Sequence, residues 1–263
     1  MKIGIIGHTG MVGTELIKRG YEPIACDVTD PAGLKMSLRG TDCDAIIYAA
    51  GITDVDFCEG DYKTAMKVNA WGINNLIDFY KGKVIYISTD HVFSGKKIFA
   101  GGYSEAHSPN PENQYGRTKL GGEWVADKGL SDTRIIRTSK LFDSNYIHKH
   151  LQSMMHGIPV SVTNVLKRSF LHVQHFADGL QFVLDNWKET PTILNISGTD
   201  ILTHYMFYCA VARKFEIDSN LVKANNHYSK ELTPRPIRAG LNVSLAKKLG
   251  VPLYSAYEGI ELL

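Results

Sequence analysis

Three polar side chains of this sequence could together deliver a proton to a carbonyl group. Tyr115 and Lys119 are four residues apart, which places both side chains on one face of a predicted helix. We expect the Lys119 ammonium to favour phenolate and so to lower the pKa of Tyr115 toward working pH, where the tyrosine can serve a ketone as general acid. Of the 13 tyrosines, Tyr115 alone has a lysine four residues later. The alternative is an ordinary surface pair on a helix.

The third side chain, Thr89, belongs to the segment Ser88-Thr89-Asp90, which directly follows an apolar strand predicted over residues 84–87. In open α/β sheets, ligands bind beyond the carboxyl ends of the strands. A hydroxyl there can hydrogen-bond a substrate carbonyl beside the tyrosine, whereas the alternative is a serine/threonine turn that ends the strand. The pattern predicts Thr89, Tyr115 and Lys119 as the catalytic residues.

A glycine-rich turn lies between a strand predicted over residues 2–6 and a helix predicted over residues 11–19. Its spacing is G-x-x-G-x-x-G. Gly7 can form the tight turn, Gly10 lets the backbone approach a pyrophosphate, and Gly13 lets helix and strand pack closely. The N-terminus of the helix adds N–H donors and partial positive charge. The turn predicts a dinucleotide site, and a tight turn without a ligand is the alternative.

Asp27 lies near the end of a second strand, predicted over residues 22–26. A carboxylate at this position can bind the adenosine ribose and would repel a 2′-phosphate, which favours NAD over NADP weakly. The alternative is a turn or helix-capping aspartate ahead of Pro31. The choice between NADH and NADPH therefore stays open.

Alternating strands and helices over the first half of the chain indicate an α/β protein with a parallel sheet and right-handed crossovers. Further strands are predicted at residues 45–49, 134–137 and 192–196, and further helices from Pro31, at 62–80, at 110–127 with Asn110 as cap, and at 244–249. We expect a Rossmann-type doubly wound sheet in residues 1–138, to which residues 160–196 return. Residues 139–159 and 197–263 are expected to form a small C-terminal substrate-binding lobe.

Composition argues against several other classes of protein. The formal net charge is +2 without a basic block, which gives no reason to expect nucleic acid or membrane as a partner. No apolar run approaches the ~20 residues that cross a bilayer, and no secretory leader is recognised. The four cysteines form no C-x-x-C pair, so we expect a reduced, cytoplasmic protein.

Two histidine pairs could suggest a metal site. They are His148 with His150 and His172 with His175. Neither pair is accompanied by a matching cysteine or carboxylate cluster. We therefore predict no metal.

As a set, these segments resemble the extended short-chain dehydrogenase/reductases, and within them the dTDP-4-dehydrorhamnose reductase group. The matching segments are residues 7–13, 27–30, 49–59, 68–70, 88–93, 115–119 and 137–139, with a weaker match at 234–236 and 241–242. The resemblance implies hydride delivery to the C4 ketone of a nucleotide-linked deoxysugar, with Tyr115 supplying the proton and NAD(P)H as cofactor. The cofactor-binding residues it implies are Gly7, Gly10, Met11, Val12, Gly13, Asp27, Val28, Ala49, Ala50, Gly51, Asn69, Tyr115 and Lys119. Asn69 would act through backbone or water contacts.

On the substrate side, the resemblance implies contacts from Asp90, His91 and Arg235. His91 stands where the family commonly has tyrosine, and Ala239 replaces a usual serine. Arginine matches phosphate geometry, so a substrate diphosphate is a further possible ligand of Arg235. Arg168, His172 and Arg238 are weaker candidates for the same role.

Two other functions fit the same superfamily. A nucleotide-sugar epimerase or dehydratase is disfavoured, because a dehydratase usually carries an acidic pair after the strand-end threonine and here Asp90 is followed by His91. A non-catalytic NADP-binding protein resembling the β subunits of methionine adenosyltransferase is the other alternative, against which the intact Thr89, Tyr115 and Lys119 argue. A homodimer is compatible with the sequence.

Overall fold

The computed structural model describes residues 1–97, 99–129, 132–227 and 233–263. Within these ranges, the strands are β1 (Ile3–Ile6), β2 (Glu22–Pro23), β3 (Ala45–Tyr48), β4 (Lys83–Thr89), β5 (Thr133–Thr138), β6 (Lys140–Phe142), β7 (Val160–Thr163), β8 (Lys167–Arg168), β9 (Phe170–His172), β10 (Ile193–Asn195), β11 (Leu202–Thr203) and β12 (Val222–Asn225). The α-helices are α1 (Met11–Lys18), α2 (Pro31–Leu38), α3 (Val55–Gly60), α4 (Tyr62–Met66), α5 (Gly72–Phe79), α6 (Gln114–Gly129), α7 (Ser144–Met155), α8 (Val173–Asp185), α9 (His204–Lys214), α10 (Ser244–Leu249) and α11 (Ala256–Ile260). A π-helical turn, Lys67–Trp71, joins α4 to α5.

Six parallel strands form the central sheet in the order β2-β1-β3-β4-β5-β10. Every residue of β1 and β3 is buried, as expected when helices cover both faces of a parallel sheet. This arrangement confirms the predicted Rossmann-type α/β class. The strand order reverses between β1 and β3, so the ligand crevice is expected beyond the carboxyl ends of these two strands.

Helices cover both faces of the sheet with apolar side chains. One cluster joins the sheet to α1, α8 and α10 through Leu16, Phe176, Leu180 and Ala246. The other joins it to α2, α5 and α6 through side chains that include Leu34, Ile73, Leu76 and Ala126. The two layers hold the strand ends, and the loops that follow them, in fixed positions.

A further hydrophobic cluster lies away from the central sheet, among β6, β7, β9, α7 and α9. Its largest side chains include Phe142, Phe170 and Phe207, and the ring of Phe207 contacts the rings of the other two. The boundaries predicted for a C-terminal lobe stay a prediction. No helix in the described ranges combines the length and the apolar character needed to span a membrane.

Two predicted helices have different bounds in the structure. The helix expected from Asn110 begins at Gln114, because the Asn110 N–H donates to Val92 O at 2.8 Å and Asn113 Oδ1 accepts from the Gly116 N–H at 2.8 Å. Asn113 therefore caps the helix, and residues 110–113 precede it. The helix expected over residues 62–80 is interrupted by the π-helical turn.

Candidate active site

A cavity of about 480 Å³ lies at the carboxyl ends of β1, β3, β4 and β5. Most of the predicted site residues line it. They are Gly10, Met11, Val12, Gly13, Ala49, Ala50, Gly51, Thr89, Asp90, His91, Tyr115 and Lys119. Five predicted residues do not line it: Gly7, Asp27, Val28, Asn69 and Arg235. The structure thus brings the glycine turn and the predicted catalytic residues to one cavity.

The glycine turn exposes the N-terminus of α1 to this cavity. Gly7 has φ +89°, and a Cβ there would lie 2.4 Å from Ala50 N; a Cβ at Gly13 would lie 2.3 Å from Gly7 O. A Cβ at Gly10 would meet no atom closer than Gly7 O at 3.6 Å. Gly10 is also the N-cap of α1, where no side chain satisfies the first amides and no acidic residue occupies the first turn. The turn therefore offers space and N–H donors to an anion.

The Tyr115 side chain is buried beside Thr89 and His91. It is 8% exposed, and its ring meets the edge of the His91 ring with centroids 5.3 Å apart. Burial raises the pKa of Tyr115, and a hydrogen bond with Thr89 opposes that rise only in part. The expectation that Lys119 lowers this pKa is wrong, because burial dominates and the opposing influence comes from Thr89. Tyr115 is consequently a protonated phenol at neutral pH, as a proton donor must be.

Lys119 is a buried ammonium group on the same face of α6. It is 5% exposed, and its Nζ lies 4.1 Å from the centre of the Tyr86 ring. Burial lowers the pKa of Lys119 to about 7, although nearby Glu123 raises it. Without a ligand, Lys119 is therefore close to half-protonated at neutral pH.

This lowered pKa predicts a pH-dependent contribution of Lys119 to stability. Between the folded pKa of about 7 and the ordinary value of 10.5, the unfolded chain binds the proton that the folded chain has lost, so raising the pH favours folding. We expect the free energy of unfolding of the ligand-free protein, relative to Lys119→Met, to rise by about 2 kcal/mol from pH 7 to pH 9. Urea denaturation of both proteins at the two pH values measures this, and a difference that does not change with pH would contradict it.

A buried ion pair fixes α6 against the strands that end at the cavity. Arg137 of β5 donates to Glu123 of α6 through Nε to Oε1 at 2.9 Å and Nη2 to Oε2 at 2.7 Å. Ser88, the residue before Thr89, donates to Glu123 Oε1 at 2.5 Å. These contacts set the position of the helix that carries Tyr115 relative to the strand that carries Thr89.

Asn69 lies behind the cavity wall, in the π-helical turn. Its Oδ1 accepts from Ile52 N at 2.8 Å, and its Nδ2 donates to Ile52 O at 3.0 Å and to Thr118 Oγ1 at 2.9 Å. The side chain is fully buried and joins the segment after β3 to α6. The structure thus places Asn69 as a support for the residues that line the cavity, and π turns are common at such sites.

Asp90 and His91 begin a single 3₁₀ turn directly after Thr89. The Asp90 carboxylate is 2% exposed, accepts from Ser139 Oγ at 2.5 Å and lies 3.5 Å from Arg168 Nε. His91 Nδ1 is 3.1 Å from Asn113 Nδ2, and burial followed by the charge of Arg168 lowers the pKa of His91 well below 6.5. His91 is therefore a neutral ring whose Nε2 carries the proton if Asn113 donates to Nδ1.

Asp27, Val28 and Arg235 are predicted site residues that do not line the cavity. Asp27 is exposed and accepts from the Thr29 N–H at 2.8 Å and from Thr29 Oγ1 at 2.7 Å, contacts that lower its pKa, while Asp30 caps α2. In this structure Asp27 is thus a turn aspartate. Val28 is buried. Arg235 donates to Asp56 Oδ2 at 2.7 Å and is partly exposed.

Lys140 and Tyr146 are among the cavity residues that the sequence analysis did not select. Lys140 comes two residues after β5 ends, so the strand-end argument that selected Thr89 could also have selected it. Tyr146 lies in the first turn of α7 and no local pattern marks it. Of the histidines weighed as ligands, His150 packs against Tyr208 and His175 stacks on Tyr254 with centroids 3.7 Å apart.

The chain is similar in sequence and in fold to proteins that are already known. A family model described as the RmlD substrate binding domain matches residues 1–261. The chain is 24% identical to spore coat polysaccharide biosynthesis protein SpsK of Bacillus subtilis, over 95% of this chain and 92% of that protein. It is also 24% identical to methionine adenosyltransferase 2 subunit beta of Xenopus laevis, over 94% of this chain and 82% of that protein. The solved structure of dTDP-4-dehydrorhamnose reductase from Bacillus anthracis in complex with NADP has a TM-score of 0.87 at 25% identity, covering 99% of this chain and 98% of that chain.

Proposed function

This chain belongs to the RmlD substrate-binding-domain family, and on that premise we propose that it reduces the C4 keto group of a nucleotide-linked deoxysugar with NAD(P)H. The observation that carries the proposal is the single cavity shared by Thr89, Tyr115, Lys119 and the glycine turn. Similarity to a dTDP-4-dehydrorhamnose reductase that binds NADP supports the same assignment.

The residues present fit a dinucleotide. The space above Gly10 and the uncapped amides of α1 suit a pyrophosphate, and Met11, Val12 and residues 49–51 continue the wall of the cavity. Gly7 and Gly13 support this cradle from behind, and Asp27 and Val28 follow β2 where the adenosine would lie. When bound, the reduced nicotinamide supplies a hydride.

In the mechanism that we propose, Thr89 and Tyr115 bind the substrate carbonyl oxygen through their hydroxyl groups. With a hydride supplied to the carbonyl carbon, the carbonyl oxygen would take the proton of Tyr115 Oη, so that the C=O group becomes CH–OH. The phenolate left on Tyr115 is stabilised by the hydrogen bond from the Thr89 hydroxyl, and Lys119 lines the same cavity, where it is assigned to hold the cofactor. Solvent then reprotonates Tyr115. We assign contacts with the substrate to Asp90, His91 and Arg235.

Turnover of a panel of 4-keto nucleotide sugars tests the function directly. Purified protein is mixed with NADH or NADPH and each sugar, and the loss of reduced-nicotinamide absorbance is followed. We expect oxidation with at least one sugar and a hydroxyl product at C4 by mass spectrometry and NMR. The proposal would be contradicted if the protein oxidised the cofactor in the absence of a sugar. It would also be contradicted if no sugar of the panel led to oxidation of the cofactor.

A regulatory protein is the second candidate function, because the chain also resembles a methionine adenosyltransferase β subunit over 94% of its length. The same panel separates the two. Tight cofactor binding without turnover, together with a change in methionine adenosyltransferase activity on mixing, would favour the regulatory function. A cytoplasmic location and a homodimer stay predictions, which cell fractionation and light scattering would test.

Replacement of Gly10 by alanine should separate cofactor binding from folding. A Cβ at Gly10 has room in the ligand-free protein, yet it would project toward the space assigned to the pyrophosphate. We expect Gly10→Ala to weaken NADPH binding by ~10-fold or more, about 1.4 kcal/mol, with little change in melting temperature. Isothermal titration and thermal melting measure the two effects.

Gly13→Ala is the matched control for this prediction. Its Cβ would collide with backbone atoms of Gly7 and His8, at 2.3 and 2.5 Å, so this variant should lose stability as well as affinity. If Gly10→Ala bound NADPH as tightly as the unchanged protein, the phosphate site would have to lie elsewhere.

A further inference from the structure

Lys140 is a lysine whose side chain lines the cavity. Its side chain is half-buried, lines the cavity, and holds Nζ 4.6 Å from the centre of the Tyr146 ring. Within the described ranges, no carboxylate oxygen lies within 4 Å of its ammonium group. Burial and then the charge of Arg168 lower the pKa of Lys140, and the charge of Asp90 opposes this shift only in part, so the protein itself disfavours the charged form. A bound anion would remove this penalty.

Arg168 and Asp90 are charged residues that line the cavity together with Lys140. Arg168 is 4% exposed and its Nε faces Asp90 Oδ2 at 3.5 Å. Asp90 is the one acidic residue among the described residues that line the cavity. Its carboxylate accepts a hydrogen bond from Ser139, and its negative charge acts on both Arg168 and Lys140. Among the described residues that line the cavity, two cationic side chains, Lys140 and Arg168, therefore lie with one carboxylate, Asp90.

The backbone holds this cluster beside the reacting groups. Asp90 follows Thr89 directly in the chain. The cluster of Asp90, Lys140 and Arg168 therefore adjoins the residue whose hydroxyl is assigned to the carbonyl oxygen. Lys140 N donates to Ser169 O at 3.1 Å, and Ser139 Oγ accepts from Ser169 N at 3.2 Å. These contacts join the segment after β5 to the segment between β8 and β9. The positive charge is thus built into paired strands near the substrate end of the cavity.

We propose that Lys140, with Arg168 beside it, binds an anionic oxygen group of the substrate and so determines which keto sugars this protein accepts. The proposal rests on the proposed function for the identity of the substrate as a nucleotide sugar. The anionic group has two chemical sources, an acid group on the sugar ring or a phosphate of the nucleotide. In both, the ammonium contributes a charge-assisted hydrogen bond in a partly desolvated site.

Equilibrium binding to the NADPH-loaded protein tests the proposal without requiring turnover. The probes are dTDP, UDP, UDP-glucose and UDP-glucuronate, of which the last two differ by one carboxylate. We expect Lys140→Met to weaken the tightest-binding probe by at least ~10-fold and Lys140→Arg to restore most of the loss. A loss for all four probes identifies a phosphate as the group, and a loss confined to UDP-glucuronate identifies the acid group on the sugar.

Two controls separate this role from a general effect of charge or folding. Lys167→Met removes an exposed lysine that lies next to Arg168 in the chain but outside the cavity, and it should leave all four affinities unchanged. NADPH affinity and melting temperature establish that each variant is folded, with Lys140→Gln as a second replacement if the methionine variant is not. Unchanged affinity of folded Lys140→Met for every probe, or equal losses in Lys167→Met, would overturn the proposal. So would the failure of all four probes to bind the unchanged protein.

Discussion

Tyr115→Phe is expected to lower kcat for sugar reduction by ~10²-fold to ~10⁴-fold, because it removes the proton donor and keeps the ring. The phenol is buried beside Thr89 and packs edge-on against His91, so phenylalanine fills the same space. NADPH affinity and melting temperature should change little. Steady-state kinetics with the sugar identified in the panel, and isothermal titration with NADPH, measure these quantities.

Tyr103→Phe is the matched control for this loss of a hydroxyl group. Tyr103 is 4% exposed, lies outside the cavity lining, and its hydroxyl has no hydrogen-bond partner among the described residues. Its replacement should leave kcat unchanged and should not reduce stability, because no paired group is lost. A decrease in kcat below ~10²-fold for Tyr115→Phe would remove Tyr115 as the general acid. The substrate proton would then have to come from another donor.

Arg137→Met should give the largest loss of stability, about 3–5 kcal/mol in the free energy of unfolding at neutral pH. The variant leaves the Glu123 carboxylate, which is 3% exposed, without the guanidinium that donates a hydrogen bond to each of its oxygens. An unpaired charge in this position costs far more than the net value of the ion pair. Urea denaturation with a fitted slope measures the change.

Two further variants test whether burial causes this loss. Lys214→Met breaks the exposed ion pair with Glu261 and should cost less than about 1 kcal/mol. The double variant Glu123→Leu with Arg137→Met removes both charges and should recover much of the stability lost by Arg137→Met alone. If Arg137→Met were no worse than Lys214→Met, the buried pair would not hold α6 in the way that the structure indicates.

The two predictions meet at α6. This helix carries Tyr115 and Lys119 at the cavity, and one turn further it carries Glu123 against Ser88 and Arg137. A loss of the ion pair should therefore reach the proposed catalytic residues through a shift of the helix. In Glu123→Leu with Arg137→Met, we infer that kcat falls even where stability is recovered, since the geometry of Tyr115 is then set by packing alone.

Local sequence patterns determined the fold class and most of the cavity. Glycine spacing at 7, 10 and 13 needs only a strand before it and a helix after it to form a phosphate cradle. The positions of Thr89 and of the Tyr115–Lys119 pair follow from strand ends and helical periodicity. These features depend on neighbours a few residues away, and for that reason the chain could be interpreted without its tertiary structure.

Only the tertiary structure decided the pKa values of the site residues and the ion pairs that they form. The pKa values of Tyr115 and Lys119 shift through burial, which outweighs the effect of one on the other that their spacing suggests. Asp90 pairs with Arg168, and Lys140 lies beside them in the cavity. These residues come from segments that are distant in sequence. Burial and long-range charge depend on how the whole chain packs, and no local spacing encodes them.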